Sequence, residues 1–539
     1  MGRAPGGRPA PSLARGATLI TVATTISRVT GFIRVVVVAA ALGTTYLANT
    51  YQTANTAPNL LFELVAAGVL TSVFVPTFVE YLVKGKPDEW WTVANVLTSV
   101  ALVVLVALAS LLALGAPLVM RLLTAGVERS VVRRQEIELG TSLLRLFAPQ
   151  VVFYGVGMIM TGVLHAHKRF GMAAAAPIFN NVVVIGVYVA YAVMRGESPP
   201  TLAGVTPAQT LVLGAGTTLG VVAMTICLLP QLRRLGWRWR WRFEPRHPAV
   251  RRAAHLGVWT LGYAGGYQAG LVVVLLLANR VEGGVAAYQW AHAFFYVPHA
   301  VFGVAIFNVL FPAMSEHVSR GEVAGFAARL RSGLEMLAFI LFPVAALLAV
   351  ASSLIARTAL EFGAMTEGGT ALVGRVLAAF ALGLPAYSGF LALTRALYAL
   401  GDVRTPALVN GAAIVVSSSA GALLFALLPD AWKVPGLAAG HSAGLAAGFA
   451  LLAAFLRRKV PVARRDLVPA SVARSLGVAC VAGAGMLGLR LFLPDVSRAE
   501  VALSLAAVAA CGGALYAAVM KALGARELGR LVRALGVRT

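Results

Sequence analysis

The chain has 539 residues, of which 59% are hydrophobic and only 12% charged, with a mean hydropathy of +0.81. A soluble protein carries about twice that charge fraction, so a soluble fold is excluded. The formal charge of +24 would suit a nucleic-acid binder, but Lys and Arg fall mainly in alternate loops between apolar stretches, the positive-inside pattern of a membrane protein.

Apolar stretches of about 20 residues recur along the whole length, which predicts an all-α polytopic membrane protein. The alternating ten-residue segments of a β-barrel are missing. Met1 to Pro11 is rich in Gly, Pro and Arg and has no cleavage-site pattern, so residues 1–16 read as a cytoplasmic tail, not a signal peptide. About fourteen spans follow, centred near Thr30, Leu64, Val104, Tyr154, Val184, Leu219, Val272, Phe302, Ile340, Ala386, Ser417, Leu445, Gly483 and Val508. They divide into an N-lobe over 17–230 (spans one to six), a basic linker over 231–250, a C-lobe over 251–458 (spans seven to twelve), two extra spans over 471–522 and a tail over 523–539. Alternate loops carry Lys84 and Lys86, Lys168 and Arg169, the run Arg233 to Arg252, Arg320, Arg404, and Arg457 to Arg465. The opposite loops hold mainly Arg129, Arg133 and Arg134, a bias of roughly three to one that puts both termini in the cytoplasm.

The first span holds the most informative residues, in Ser27-Arg28-Val29-Thr30-Gly31-Phe32-Ile33-Arg34. A charge near the bilayer centre costs roughly 2.5–3.5 kcal/mol, so such arginines are expected to face a polar cavity or a partner charge. Guanidinium groups fixed there point to an anionic substrate. Arg28 and Arg34 are about 120° apart around an ideal helix, and a bend at Gly31 would bring them to one face. The second span adds Asn49, Gln52, Asn55, Asn59 and Glu63, with Pro58 as a second candidate hinge. Glu63 is the expected exchangeable partner of Arg34 or Arg28 when substrate is absent; the alternative is a permanent structural ion pair.

Further along, Arg145 opens the fourth span and Arg395 lies in the tenth; both are weaker candidates, placed to reach an interface. Cys227, Cys480 and Cys511 sit in apolar segments as small buried side chains, and His165-Ala166-His167 reads as a solvated helix end, so no metal site is expected. The linker run Trp237-Arg238-Trp239-Arg240-Trp241-Arg242 reads as an interfacial belt, with indoles at headgroup level and arginines on anionic lipid. Across this linker the two halves repeat. Tyr51-Gln52-Thr53-Ala54 with Val73-Phe74-Val75-Pro76 matches Tyr288-Gln289-Trp290-Ala291 with Val309-Leu310-Phe311-Pro312. Pro149 with Thr161 to Ala166 matches Pro385 with Thr394 to Ala399, and Pro177 with Asn180 matches Pro406 with Asn410. Two pseudo-symmetric lobes with two extra carboxy-terminal helices is a transporter architecture.

Ser27-Arg28-x-x-Gly31-Phe32-x-Arg34, Ala57-Pro58-Asn59-Leu60-Leu61, Gly68 with Phe74-Val75-Pro76, Leu144-Arg145 to Pro149, Ala176-Pro177 with Asn180-Asn181, and Tyr398-Ala399 to Thr405-Pro406 together resemble the MurJ/MviN family, over nearly the whole chain. That family belongs to the multidrug/oligosaccharidyl-lipid/polysaccharide exporter superfamily. The resemblance implies fourteen helices in two lobes, with a groove for the lipid tail along the last two. It also implies a flippase that moves lipid II, the undecaprenyl-pyrophosphate-linked peptidoglycan precursor, from inner to outer leaflet for cell-wall synthesis and cell shape. It puts Ser27, Arg28 and Arg34 in the cavity with Asn59 nearby. The chain departs from the family pattern at Asn49, where many members carry an acid, and at Phe62, where they carry an arginine. It departs again at Ala67, where they carry a glutamate, and at Ala293 beside His292, where an arginine is expected.

The resulting expectation is an alternating-access lipid II flippase of the bacterial plasma membrane, not an enzyme. Its partners are the polyprenyl precursor, the bilayer and cell-wall synthesis proteins. No cofactor is assigned; membrane potential or an ion gradient is the expected drive. Alternatives are an exporter of another polyprenyl-linked oligosaccharide or drug, a membrane glycosyltransferase, and a scaffold of the cell-wall machinery.

Overall fold

The computed structural model describes residues 13–66, 87–460, 469–525 and 527–529, and every regular element among them is helical. In chain order these are α1 (Leu13–Leu42), α2 (Tyr46–Ala66), α3 (Pro87–Leu114), α4 (Ala116–Leu123), α5 (Ser130–Phe147), α6 (Gln150–Ala166), α7 (Phe170–Arg195), α8 (Pro207–Ile226), α9 (Leu229–Arg234), α10 (Pro248–Ala278) and α11 (Gly284–Pro298). A π-turn (His299–Gly303) leads into α12 (Val304–Ser319), followed by α13 (Val323–Val350), α14 (Ser352–Leu360), α15 (Glu367–Ala381), α16 (Leu384–Ala399), α17 (Arg404–Leu427), α18 (Asp430–Lys459), α19 (Ala470–Arg490) and α20 (Arg498–Ala522).

Eleven stretches among the described residues are long and apolar enough to cross a membrane, and α15 with α16, bent by 44° at their junction, makes a twelfth. The remaining two of the fourteen expected spans fall on α2 and α10. α2 carries too many amides for the apolar criterion, and α10 contributes only Gln268–Ala278 as a short apolar helix. Residues 1–12, Ala67, Gly68, Val73 to Pro76, Lys84, Lys86, Arg464, Arg465 and 530–539 lie outside the described residues.

The contacts divide the chain into two compact units. The first comprises residues up to Ala41, Thr50–Leu122 and Arg134–Gly265; the second comprises Leu42–Asn49, Leu123–Arg133 and everything from Gly266. In the first unit α7 packs along α8, and α6 packs on α3 and α8. Asn181 of α7 docks α1 by donating to the Ser27 carbonyl (3.1 Å) and to Thr30 Oγ1 (3.0 Å). The Trp/Arg linker lies against α3. Trp237 is 6% exposed and donates its indole N–H to Asn95 Oδ1 at 3.2 Å, and the Arg242 amide donates to Ser99 Oγ at 3.0 Å. Trp239 and Trp241 are 50% and 56% exposed, so one indole of the three is core and two are surface.

In the second unit the most extensive pairing is α17 with α18. Gly436, Gly440 and Gly444 recur every fourth residue on α18 and face α17, and a Cβ on Gly440 would collide with the Gly421 backbone. Without a hydrophobic drive between helices in lipid, this small-residue seam lets the two backbones approach closely enough to pack. The π-turn follows Pro298, whose missing N–H and fixed φ interrupt the regular ladder there. α19 and α20 pack on α13 and α14, and the Tyr516 hydroxyl donates to the Phe339 carbonyl at 3.0 Å. Asp402, between α16 and α17, accepts from the Thr405 amide at 3.0 Å and pairs with Lys459 at the end of α18. Burial opposes its charge, but the hydrogen bonds from Lys459 and Thr405 outweigh it and lower its pKa to about 2.

Candidate functional site

Tyr51, Asn55 and Asn59 recur every fourth residue of α2 and so share a helical face. That face meets a polar seam inside the first unit. The Tyr51 hydroxyl lies 2.7 Å from Thr217 Oγ1 and 3.0 Å from the Tyr188 hydroxyl. Thr217 donates its one hydroxyl hydrogen to the Leu213 carbonyl at 2.6 Å. Tyr51 must then donate to Thr217, and Tyr188 to Tyr51. A turn further along, Gln150 donates from Nε2 to Asn55 Oδ1 (3.4 Å) and Thr218 Oγ1 (3.3 Å), while its buried Oε1 has no partner. Asn59 donates to the Asn55 carbonyl at 3.1 Å.

Arg34 reaches this seam from α1. It is half-buried, and its electrostatic neighbours are Tyr51, Tyr154 and Tyr188. Among the described residues it forms no ion pair and no hydrogen bond, so the expected Glu63–Arg34 pair is not made. The hydroxyl hydrogens of the Tyr188–Tyr51–Thr217 chain all run toward Leu213, and Arg34 is an electrostatic neighbour of both tyrosines. Neutral dipoles lower its cost without cancelling its charge, which leaves a guanidinium able to take an anion. Phe62, which replaces the family's arginine, packs its ring 5.1 Å from that of Tyr154.

The remaining candidates are dispersed. Arg28 is exposed on α1, and Ser27 is half-buried with its carbonyl held by Asn181. Gln52 is buried in α2, and Glu63 is exposed near the helix end. Gly31 and Pro58 lie within unbroken helices. Arg145 is exposed at the end of α5, and Arg395 is exposed over the Phe311 ring at 5.7 Å. Asn49 belongs to the second unit. It is fully buried, donates from Nδ2 to the Val281 carbonyl at 2.8 Å, and accepts from the Val285 (3.0 Å) and Ala286 (3.4 Å) amides. It therefore caps the start of α11, so its amide has a structural task. His292 sits in an aromatic cluster of the second unit. No group of His, Cys, Asp and Glu among the described residues is arranged to hold a metal. Sequence reasoning missed Tyr154, Tyr188, Thr217, Thr218 and Gln150; the available signal was a polar residue within an apolar segment.

The described residues form a bundle of membrane-spanning helices with a charged, polar seam, and solved structures share this fold. The architecture matches an inward-facing multidrug resistance MATE family transporter of the MOP superfamily with a TM-score of 0.63 at 11% identity, over 83% of this chain and 98% of that one. It matches lipid II flippase MurJ in an inward closed conformation with a TM-score of 0.75 at 19% identity, over 94% and 99%. The family model for Lipid II flippase MurJ matches residues 38–505. A relative from Rhizobium tropici described as a "Probable lipid II flippase MurJ" is 31% identical over 409 residues, 76% of this chain and 75% of its own length. The lipid II flippase MurJ of Burkholderia cenocepacia is 26% identical over 406 residues, 74% and 76%. The chain belongs to the lipid II flippase MurJ family; it is a multi-pass membrane transporter, not an enzyme.

Proposed function

We propose that this chain carries lipid II from the inner to the outer leaflet by alternating access, and that the lipid diphosphate docks on Arg34 with Arg28 as its second cation. The observation that carries the site is Arg34 itself, a half-buried guanidinium in an apolar helix with tyrosines as electrostatic neighbours and no ion pair among the described residues. A diphosphate offers the bidentate acceptor pairs that guanidinium groups fit. Ser27, Asn55 and Asn59 are the further hydroxyl and amide groups of this part of the first unit that could donate to a phosphate oxygen. Asn49 leaves the binding set because its amide caps α11. The isoprenoid tail stays in lipid along α19 and α20. Both termini are cytoplasmic on the arginine bias of the loops, and cell-wall synthesis proteins are the natural partners at the outer face.

The test is leaflet accessibility of lipid II in cells and in proteoliposomes, with wild type and Arg34→Ala. Wild type should deliver lipid II to the outer leaflet, and the variant should insert normally but not deliver it. Equal delivery by both would remove Arg34 from the route. The likeness to a MATE transporter favours, as a second reading, an exporter of another polyprenyl-linked oligosaccharide or a drug. Competition between labelled lipid II and other polyprenyl lipids separates the two.

A further inference from the structure

The Trp/Arg run of the linker is anchored at one end and bare beyond it. Trp237 is the anchor. Its indole belongs to a buried cluster with Trp90 and Leu97 of α3 and with Leu228 and Leu232 at α9, and its N–H is given to Asn95. Asn95 also donates from Nδ2 to the Arg238 carbonyl at 3.4 Å, and one turn further along α3 Ser99 Oγ accepts the Arg242 amide. Residues 238–242 therefore run along α3 as a strap with no helical structure of their own. Asn95 and Ser99 lie in the first half of the apolar spanning stretch Trp90–Leu114, about 8 and 14 Å past its start at about 1.5 Å per residue. The strap is tied down at the membrane, not out in solution.

Past the anchor the side chains alternate in kind. Trp239, Trp241 and Phe243 are each about half exposed and form one continuous row. The first two ring centroids are 6.1 Å apart, and the last two are 6.5 Å apart and stacked at 15°. The intervening Arg238, Arg240 and Arg242 are exposed, and among the described residues their guanidinium groups make no ion pair and no hydrogen bond. Arg233, Arg234 and Arg246 are exposed as well, while Glu244 is the one acid from Gln231 to Arg252.

A contiguous row of bare rings marks an interaction surface. Beside a spanning helix it fits the membrane interface, where amphipathic rings sit at headgroup level. Rings alone would accept any lipid. The cations between them add a choice, because a guanidinium near the surface gains from a negative headgroup and forks onto two phosphate oxygens.

We propose that this strap is a binding surface for anionic phospholipid headgroups in the leaflet that borders it. Trp239, Trp241 and Phe243 seat it at headgroup level, and Arg238, Arg240 and Arg242 select negative over zwitterionic lipid. Trp237, Asn95 and Ser99 hold the strap in place. The inference is independent of the diphosphate site on α1 and α2, and its test needs no translocation.

The full chain is reconstituted in vesicles of phosphatidylcholine mixed with phosphatidylglycerol, with quenching bromine on the acyl chains of one lipid or the other. The signal of Trp239 and Trp241 is the difference in fluorescence between wild type and Trp239→Phe/Trp241→Phe. Either brominated lipid should quench that signal, and the relative binding constant should favour phosphatidylglycerol by about fivefold or more, the share of one well-placed cation. High salt should reduce the preference, since exposed charges are screened. Arg238→Gln/Arg240→Gln/Arg242→Gln should bring it close to unity and leave the quenching in place. The hydrogen bonds to α3 use backbone atoms of Arg238 and Arg242, so the glutamines keep them. Equal constants for the two lipids in wild type overturn the proposal, and so does a preference that survives the triple variant. A signal that neither lipid quenches overturns it too, and shows instead a strap facing water or a protein. Should the triple variant fail to insert, salt decides on wild type: a preference abolished by salt supports the charge selection, and one unmoved by salt overturns it.

Discussion

The Tyr51 hydroxyl stands 2.7 Å from that of Thr217, whose only hydroxyl hydrogen is already given to the Leu213 carbonyl at 2.6 Å. This one contact orders the whole chain, because it forces Tyr51 to donate to Thr217 and Tyr188 to donate to Tyr51. Thr217→Val keeps the shape and removes both the acceptor and the donor. The Tyr51 hydrogen then turns back against Tyr188, at a cost of about 1 kcal/mol of stability. The hydroxyl order next to Arg34 is lost, so lipid II translocation should fall several-fold. Unchanged transport together with the stability loss would show that the hydroxyl order does not bear on the cation.

Arg34→Lys separates charge from geometry. A lysine keeps the positive charge but loses the fork that engages two phosphate oxygens at once. Losing one charge-assisted hydrogen bond costs about 1.5–3 kcal/mol, so translocation should drop roughly tenfold to a hundredfold. Arg34→Ala should abolish it. The leaflet-accessibility assay reads both, with insertion checked by membrane fractionation.

Asn49 predicts the opposite split. Asn49→Ala strands the Val285 and Ala286 amides and the Val281 carbonyl in a fully buried place, which should destabilise the second unit by about 2–3 kcal/mol. Asn49→Asp keeps the acceptor for both amides at a helix start, where negative charge is favoured, and loses only the donor to Val281. Thermal unfolding in detergent should rank wild type above Asp above Ala, while the substrate concentration for half-maximal transport stays constant. A large rise in that concentration for Asn49→Ala would return Asn49 to the binding site.

Gly440→Ala adds one methyl where the Gly421 backbone already stands. Neither backbone can yield without parting α17 from α18, so a cost of about 1–3 kcal/mol follows, as for other overpacked contacts. Gly477→Ala, with open space around its added carbon, is the matched control and should be nearly silent.

Asp402 gives a pH signature outside the spanning segments. Its pKa is lowered to about 2 by Lys459 and Thr405, below the unfolded value of about 3.9. The stabilisation is therefore complete above about pH 4–5 and is lost as pH falls through about 2. Lys459 is 46% exposed, so the ion pair itself adds no more than about 1 kcal/mol. Unfolding midpoints from pH 6 to 2 should fall more steeply for wild type than for Asp402→Asn; parallel curves would rule the interaction out.

Arg34 was legible in the sequence because a charge amid apolar residues is conspicuous whatever surrounds it. Its tyrosine neighbours were not, since tyrosine is amphipathic and unremarkable in a span, and Tyr154 and Tyr188 come close only through packing of helices far apart in the chain. Asn49 and Asn55 look equivalent in sequence, both amides on the same helix. They differ because residue 49 belongs to the second unit and residue 50 begins a piece of the first, a division made by tertiary contacts alone. Glu136 is inconspicuous in the sequence for a similar reason. It begins a span among arginines, yet it is fully buried and receives the Thr50 hydroxyl at 3.1 Å.

The π-turn at His299–Gly303 amounts to one surplus residue wound into a long helix. Each residue turns an α-helix by about 100°, so the insertion sets the azimuth of everything from Val304 to Ser319. Delete Ala300 and the second half of the rod would swivel by that angle, carrying Phe307 and Met314 out of their sockets toward the acyl chains. One extra residue thus acts as the indexing pin for sixteen that follow it.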